Sequence, residues 1–315
     1  MTRESEFRFA WRLAAAIFIA VAVEAPAVAA PLTVREVAPG VFVHFGAHEE
    51  TTRDNLGSIA NIGFVVGEKC VAVVDTGGSA ALGAQLRESV RAVTRLPVCF
   101  VINTHMHPDH VFGNAAFSDE PGVAFVGHAK LGAALAARER GYLDRLHQEI
   151  GDAAAGTRVI APTLTVASTR DLDLGGRVLN LRAWPTAHTD NDLTVLDAQT
   201  GTLWSGDLLF VERIPSIDGS LIGWLKVLGE LRQLEPKRVV SGHGDAGAGW
   251  RAAIDRLEEY LAVVRNETRS AIKARRTMQA AVAEVGATQR GKWLLFDDYH
   301  KRNVTAAYAE LEWED

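Results

Sequence analysis

Short runs of hydrophobic residues alternate with longer amphipathic stretches over the first half of the chain. Such runs, bounded by turn residues, predict strands that are buried on both faces, and the amphipathic stretches between them predict helices. The predicted strands here are Cys70–Asp75, Val98–Asn103 and Val123–Val126, and the predicted helices run from about Ala80 to Thr94 and from about Ala129 to Ile150. Strands that alternate with helices predict a sheet covered by helices, which defines an α/β fold.

The same alternation continues in the second half of the chain, with shorter strands. They are predicted at Leu164–Val166, Val178–Ala183, Leu193–Asp197, Thr202–Trp204 and Arg238–Ser241, with helices at about Leu221–Leu234 and Trp250–Val285. The segment 34–66 is also rich in strand patterns, which the polar segment 46–57 interrupts as a loop. Since no Pro- or Ser-rich linker or charge block divides the chain, the pattern predicts a single domain over residues 30–315.

The N-terminal residues have the pattern of an export signal. Arg3, Arg8 and Arg12 precede the hydrophobic run Leu13–Val23, and the small residues Ala27–Ala29 follow it. The run is too short to span a hydrocarbon core of about 30 Å as a helix. This pattern predicts a cleaved signal peptide over residues 1–29 and a mature protein in a bacterial periplasm. An uncleaved membrane anchor is the alternative interpretation.

Composition excludes several function classes. Hydrophobic residues make up 48% of the chain and charged residues 23%, which is typical of a soluble globular protein. The 33 Lys and Arg against 39 Asp and Glu give a net charge of −6, without a basic cluster. Because phosphate binding needs clustered cations, nucleic acid is not an expected partner. No membrane contact is expected after signal cleavage.

Two cysteines, Cys70 and Cys99, lie near the start of two of the predicted strands. If these strands are parallel neighbours, an oxidising compartment would allow a disulfide between them. Two buried free thiols, packed as small hydrophobic groups, agree with the sequence equally well.

Metal-ligand side chains cluster directly after the second predicted strand. His105, His107, Asp109 and His110 stand in the segment T-H-M-H-P-D-H. Alternate residues of an extended chain point to the same side, so His105 and His107 can converge on one point. A turn at Pro108 then lets Asp109 and His110 face a second point nearby. Imidazole and carboxylate groups are preferred ligands of Zn²⁺, which predicts a metal site.

Three further ligand-type residues, His188, Asp207 and His243, each follow a later predicted strand and small residues. A site built along one edge of a sheet would have this pattern. Asp75 ends a buried strand and Asp192 lies shortly after His188, and both are predicted to orient metal-bound histidines through hydrogen bonds. Capping of the following turn is the alternative role for Asp75.

The order H-x-H-x-D-H, His, Asp, His, with the strand end V-V-D-T-G before it, resembles the metallo-β-lactamase-fold hydrolase superfamily. The resemblance implies a four-layer αββα sandwich with a metal site at one edge of its two sheets. It implies two Zn²⁺ per chain, with Fe or Mn as alternatives. The ligands it implies are His105, His107 and His188 for one metal, Asp109, His110 and His243 for the other, and Asp207 for both.

Details of the pattern narrow this resemblance. The chain has an aspartate at position 207. In this it resembles the glyoxalase II, lactonase and persulfide dioxygenase branches of the superfamily, whereas many β-lactamases have Cys or Ser at this position. The stretches Asn61–Gly67 and Leu96–Asn114, with the export signal, make the chain most similar to the SoxH-related quinoprotein relay system zinc metallohydrolases. Members of that group accompany PQQ-dependent alcohol oxidation. The resemblance therefore implies a functional link to a periplasmic quinoprotein dehydrogenase.

The resemblance implies a hydrolase that acts on a small-molecule substrate. Two metals that share Asp207 and a water would supply hydroxide to attack an ester, thioester or lactone carbonyl. Asp109 would be the catalytic residue that orients the nucleophile or carries a proton. Two alternatives stay open, a mononuclear Fe(II) enzyme similar to persulfide dioxygenases and a non-catalytic accessory binding protein. Loop positions alone suggest Phe45, His48 and Trp224 as a substrate wall.

Overall fold

Two β-sheets packed face to face form the centre of the molecule in the computed structural model, which describes residues 29–314. The predicted signal peptide covers residues 1–29, so all but its last residue lies outside the described residues. Within residues 29–314, every helix is too short or too polar to cross a membrane.

The first sheet has seven strands, arranged in the order in which they occur along the chain. The first four are antiparallel to their neighbours, and β4 to β7 run parallel to one another. The strands are β1 (Arg35–Ala38), β2 (Val41–His44), β3 (Ile62–Val66), β4 (Val71–Val74), β5 (Val98–Ile102), β6 (Ala124–His128) and β7 (Leu164–Val166).

The second sheet has five strands in the order β12-β11-β10-β9-β8. All its pairs are antiparallel except β11 with β12, which are parallel. The strands are β8 (Thr169–Asp173), β9 (Val178–Ala183), β10 (Leu193–Asp197), β11 (Thr202–Phe210) and β12 (Arg238–His243).

Seven α-helices complete the described part of the chain. They are α1 (Ala80–Val93), α2 (Pro108–Val111), α3 (Leu131–Ile150), α4 (Leu221–Leu231), α5 (Trp250–Lys273), α6 (Met278–Glu284) and α7 (Phe296–Leu311). The four-residue helix α2 carries two of the predicted metal ligands, and α3 and α7 both approach the same edge of the sandwich.

Three hydrophobic clusters define the layers of the molecule. Between the sheets, residues such as Val74 of the first sheet pack with Val195 of the second. Leu86 of α1 packs against the outer face of the first sheet, and Trp224 of α4 and Leu257 of α5 pack against the outer face of the second. The resulting order of helices, sheet, sheet and helices confirms the predicted αββα sandwich.

The two cysteines form a disulfide that connects neighbouring parallel strands. Cys70 immediately precedes β4, Cys99 lies in β5, and their Cα atoms are 5.8 Å apart. The sequence left this pairing open because it did not establish that the two strands are neighbours.

The predicted helix over Trp250–Val285 is two helices in the structure. Helix α5 ends at Lys273, and Arg275 adopts a left-handed backbone conformation with φ of 55°. The Thr277 hydroxyl then accepts a hydrogen bond from Ala280 N and begins α6. A threonine that caps a new helix satisfies a backbone N–H that the first helix turn leaves free, which explains the break.

Candidate metal centre

All seven predicted metal ligands lie together at one edge of the sandwich. His105 and His107 lie in the turn after β5, and Asp109 and His110 lie in α2. The second sheet supplies the others from three chain segments: His188 from the turn after β9, Asp207 from within β11 and His243 from the end of β12. Their ligand atoms form two groups, His105, His107, His188 and Asp207 in one, and Asp109, His110 and His243 in the other.

In the first group, three imidazole nitrogens converge. His107 Nδ1 lies 3.0 Å from His105 Nε2 and 3.0 Å from His188 Nε2. Asp207 Oδ2 lies 3.7 Å from His105 Nε2 and 3.4 Å from His188 Nε2. Nitrogens bound to one tetrahedral zinc at about 2.0–2.1 Å are roughly 3.3–3.4 Å apart, so this donor set is compact enough for a single ion.

The second group lies on the other side of Asp207. Asp109 Oδ2 is 3.7 Å from His110 Nε2 and 3.4 Å from His243 Nε2. Asp207 reaches this group as well, because its Oδ1 is 3.2 Å from His110 Nε2 and its Oδ2 is 3.4 Å from His243 Nε2. Asp207 therefore stands between the groups and can offer an oxygen to each.

Hydrogen bonds on the far side of two rings fix which nitrogen faces the centre. His188 Nδ1 donates to Ser216 O at 2.7 Å, and His243 Nδ1 donates to Ile59 O at 2.8 Å. A carbonyl oxygen only accepts, so Nδ1 carries the hydrogen in both rings. In a neutral ring Nε2 then has a free lone pair, which is the form that binds a metal.

The other three rings are held by side chains. His107 Nε2 lies 3.1 Å from Asp218 Oδ2, and His105 Nδ1 lies 3.0 Å from Thr104 Oγ1. His110 Nδ1 lies 2.8 Å from Asp75 Oδ2. Sequence reasoning missed Asp218, as well as the carbonyl groups that hold His188 and His243. Asp218 lies in a loop after the long strand β11, so neither a strand end nor a motif marked it.

Two buried atoms at the centre show that the donor set fits a cation. His110 Nε2 and Asp207 Oδ1 are buried, and among residues 29–314 neither has a hydrogen-bond partner of adequate geometry. Buried polar atoms in folded proteins are almost always satisfied, so two orphaned atoms facing each other need an explanation. A metal ion that accepts lone pairs from both would provide one.

The charges at the centre also suit a cation. Burial lowers the pKa of His188 to about 3 and also holds the pKa of His105 well below its usual range, so both rings stay neutral. Burial opposes ionisation of Asp207, but the nearby His243 and His110 outweigh it and hold the pKa of this carboxyl well below its usual range. The first group therefore offers two neutral imidazoles, those of His105 and His188, beside an anionic carboxylate.

The two aspartates predicted to orient ligands contact different parts of the site. Asp75 accepts hydrogen bonds from His110 Nδ1, Thr104 N and Thr104 Oγ1, so it touches one candidate ligand directly. Asp192 instead accepts from Thr189 N and Thr189 Oγ1 and holds the turn next to His188. Burial raises the pKa of Asp192 to about 8.

A cavity of about 160 Å³ opens directly above the centre. Four of the seven candidate ligands line its floor: His107, Asp109, Asp207 and His243. Its walls combine hydrophobic side chains with polar residues of α3 and α7: Ile59, Phe112, Phe210 and Ile214, then Tyr142, Arg145, Tyr299 and Arg302.

The suggested substrate wall is not found in the structure. Phe45, His48 and Trp224 are not among the described residues that line the cavity. Trp224 is fully buried and packs behind His188, with 5.1 Å between ring centroids. Position in the sequence alone could not show whether an aromatic ring such as that of Trp224 faces the cavity or packs behind a histidine of the candidate metal centre.

Comparison with known proteins identifies the family. Residues 56–243 match the family model described as the metallo-beta-lactamase superfamily, and this segment contains all seven candidate ligands. The chain therefore belongs to the metallo-beta-lactamase superfamily. A search of curated proteins finds no match to the sequence.

Solved structures with the same fold include enzymes of different names. A metallo-beta-lactamase from Pontibacter korlensis is 20% identical, with a TM-score of 0.55 over 73% of this chain and 99% of that chain. A double mutant of the sec-alkyl sulfatase PisA1 is 16% identical, with a TM-score of 0.66 over 90% of this chain and 51% of that chain. TMB-1 is 18% identical, with a TM-score of 0.55 over 74% of this chain and 97% of that chain. At these identities the likeness concerns the fold alone.

Proposed function

We propose that this protein is an exported hydrolase that holds two Zn²⁺ ions and cleaves an ester, thioester or lactone of a small molecule. The position of Asp207 between two groups of ligand atoms is the observation that carries this proposal. One group alone would describe a single-metal site, whereas a shared carboxylate is typical of paired metals. Nitrogen and oxygen donors in this mixture suit Zn²⁺.

Each candidate ligand has a proposed place in the pair. His105, His107 and His188 hold the first ion, Asp109, His110 and His243 hold the second, and Asp207 contacts both. When bound, the ions supply a water of lowered pKa and a Lewis acid that polarises a carbonyl oxygen.

The chain's own residues bind the substrate and move a proton. Asp109 faces the cavity with its side chain still 16% exposed, so its carboxylate can orient a nucleophilic water and accept a proton from it. Tyr142 on the cavity wall stays protonated, since burial raises the pKa of its hydroxyl to about 12, and it can donate a hydrogen bond to a substrate. The small volume and the mixed hydrophobic and polar wall suit a compact acyl compound.

Metal analysis combined with a substrate panel tests the proposal. The purified protein should contain about two zinc ions per chain and hydrolyse at least one ester, thioester or lactone in a metal-dependent manner. The panel includes a β-lactam and a secondary alkyl sulfate, because structural neighbours carry those names. His107→Ala should lose metal and at least about 100-fold in rate, and His147→Ala, on the exposed face of α3, should lose neither.

Other outcomes would replace this function. One iron per chain with oxygen uptake would indicate a mononuclear dioxygenase. A protein that binds metal but turns over no member of the panel would favour an accessory role.

We further propose that the chain acts in the periplasm beside a quinoprotein dehydrogenase, which rests on the N-terminal pattern and the sequence resemblance. Fractionation of the native host, with an activity assay of the dehydrogenase after deletion of this protein, tests the location and the link. Recovery of the protein in the cytoplasmic fraction would contradict the location, and unchanged alcohol oxidation in the deletion strain would contradict the link.

A further inference from the structure

Helix α7 lies outside the segment that matches the family model, yet it contacts the loop that holds two of the candidate ligands. This loop, residues 215–218, follows β11 and passes beside the first group of ligand atoms. We propose that Asn303 of α7 is a positioning residue for the first metal. It acts through this loop, which orients the histidine ligands of that metal. The inference rests on the proposed metal site and goes beyond it by assigning a role to the C-terminal helix.

Asn303 fastens the loop on both sides of Ser216. Its side chain is fully buried. Its Oδ1 accepts a hydrogen bond from Ile217 N at 3.0 Å, and its Nδ2 donates to Pro215 O at 2.7 Å. Both loop partners are backbone groups, so Asn303 fixes the path of the loop and not merely one side chain. Its Nδ2 also donates to the Tyr260 hydroxyl at 2.9 Å, which fastens the amide to α5.

The fastened loop holds His188 at two points. Ser216 O accepts the hydrogen bond of His188 Nδ1 at 2.7 Å, and Asp218 N donates to His188 O at 3.1 Å. The first contact determines which nitrogen of His188 faces the metal centre. A shift of Ser216 would therefore change the direction of the ring or let it adopt the other tautomer.

The same loop also reaches His107. Asp218 Oδ2 lies 3.1 Å from His107 Nε2, on the ring edge that faces away from the centre. Arg302, the neighbour of Asn303 in α7, places its guanidinium 3.6 Å from Asp218 Oδ1. Two adjacent residues of one helix thus support two of the three histidines in the first group, and no such contact connects described residues of α7 to His110 or His243.

Loss of Asn303 should therefore weaken one metal and not the other. Truncation would leave Pro215 O and Ile217 N buried without partners, and the loop would move to find new ones. Ser216 O is the outer hydrogen-bond partner of His188, and its displacement would cost the first metal about the 10–100-fold in affinity that loss of such a partner costs. The second group, held by Asp75 and Ile59 O, should keep its affinity.

Zinc titration against a chromophoric chelator tests this inference, with two variants that mark the sites. His188→Ala should abolish the binding step of the first metal, and His243→Ala that of the second. Asn303→Ala should weaken by about 10–100-fold the step that His188→Ala removes. In proton NMR, the His188 Nδ1–H signal, identified by its loss in His188→Ala, should shift or vanish in Asn303→Ala.

Val304→Ala is the matched control on the same helix. Val304 is fully buried and packs with Ala281 and Val285, so its truncation also removes buried packing from α7 but leaves Asn303 and residues 215–218 with all their hydrogen bonds. It should lower the thermal midpoint about as much as Asn303→Ala and change neither zinc step. If Asn303→Ala does not fold, Asn303→Asp keeps the acceptor for Ile217 N, and the same step should weaken.

Equal weakening of both steps in the Asn303 variants, or of neither, would overturn the inference. If the protein binds only one ion, the two-metal function fails separately. The effect of Asn303→Ala on that ion, compared with those of His188→Ala and Val304→Ala, still decides the role of Asn303.

Discussion

One carboxylate, that of Asp75, supports both halves of the candidate metal centre, the second group directly and the first through Thr104. Its Oδ2 accepts from His110 Nδ1 of the second group and from Thr104 Oγ1, which in turn holds His105 of the first group. Its backbone φ of 53° lies in the left-handed region, which Asp and Asn tolerate better than most residues. Asn is therefore a substitution that alters the carboxylate while keeping the backbone conformation.

We expect Asp75→Asn to weaken both metals by about 10–100-fold. The carboxylate accepts three hydrogen bonds, and an amide has only one oxygen with which to replace them, while its NH₂ group faces donors. Zinc competition titration measures the loss. Asp192→Asn is the control, because the Asp192 side chain bonds only to Thr189 and should leave both affinities within a few-fold. Unchanged zinc affinity in Asp75→Asn would show that Asp75 merely caps its turn.

Asp192 should make the stability of the metal-free protein depend on pH. Burial raises its pKa from 3.8 to about 8 in the folded protein. Between pH 4 and pH 8 the folded state therefore retains a proton that the unfolded state has lost. Stability contributed by this group is complete below about pH 4 and decreases as pH rises toward 8.

Urea unfolding at a series of pH values, in the presence of a chelator, tests this pH dependence. The free energy of unfolding of the wild type should fall with rising pH relative to Asp192→Asn, which resembles the protonated acid. Parallel pH profiles for the two proteins would mean that Asp192 ionises normally in the fold.

The sequence could indicate the candidate ligands, because their side chains follow predicted strands. His188 and His243 stood out because an apolar strand and small residues precede a ligand-type side chain in each case. Ser216 and Ile59 could not be found in this way, since they act through backbone carbonyls, which every residue has. Asn303 is more than a hundred residues from His188 in the sequence, and only the packing of α7 brings it near.

At the scale of elements, the hydrophobic pattern predicted the buried strands but missed a strand that is mostly exposed to solvent. The strand β8 was missed because only Leu172 of its five residues is buried, so it lacks the alternation that indicates a strand. It forms the edge of the second sheet, where solvent faces most of its side chains. The break between α5 and α6 was missed because a local cap, and not the hydrophobic period, produces it.

The disulfide should stabilise the first sheet. Cys70 and Cys99 are 29 residues apart, and closing a loop of this size in the unfolded chain is worth about 3–4 kcal/mol in the chain-entropy model. A reducing agent should therefore lower the unfolding free energy of the wild type by an amount of this order in denaturant titration. The double variant Cys70→Ala, Cys99→Ala should show no further change on reduction. An equal response of both proteins to the reducing agent would mean that the bond does not form.

At the scale of the molecule, the metal centre joins the two sheets. Four candidate ligands come from the segment after β5 in the first sheet, and three come from the second sheet. Each of the two groups of ligand atoms contains residues from both sheets. A metal bound there connects the two halves of the sandwich at the edge where the cavity opens, so site and fold should depend on each other.

Metal binding should accordingly stabilise the whole sandwich and not only the loops at its edge. A ligand that binds only the folded state adds about 2.7 kcal/mol at a free concentration a hundred times its dissociation constant, and each such ion adds its own contribution. Differential scanning calorimetry should show a single transition that moves up by several degrees from chelator to zinc, because both sheets unfold together once the link is lost. The double variant His188→Ala, His243→Ala loses a second-sheet ligand from each group, so zinc should leave its midpoint unchanged. A wild-type midpoint that is the same in zinc and in chelator would mean that these side chains converge without holding a metal.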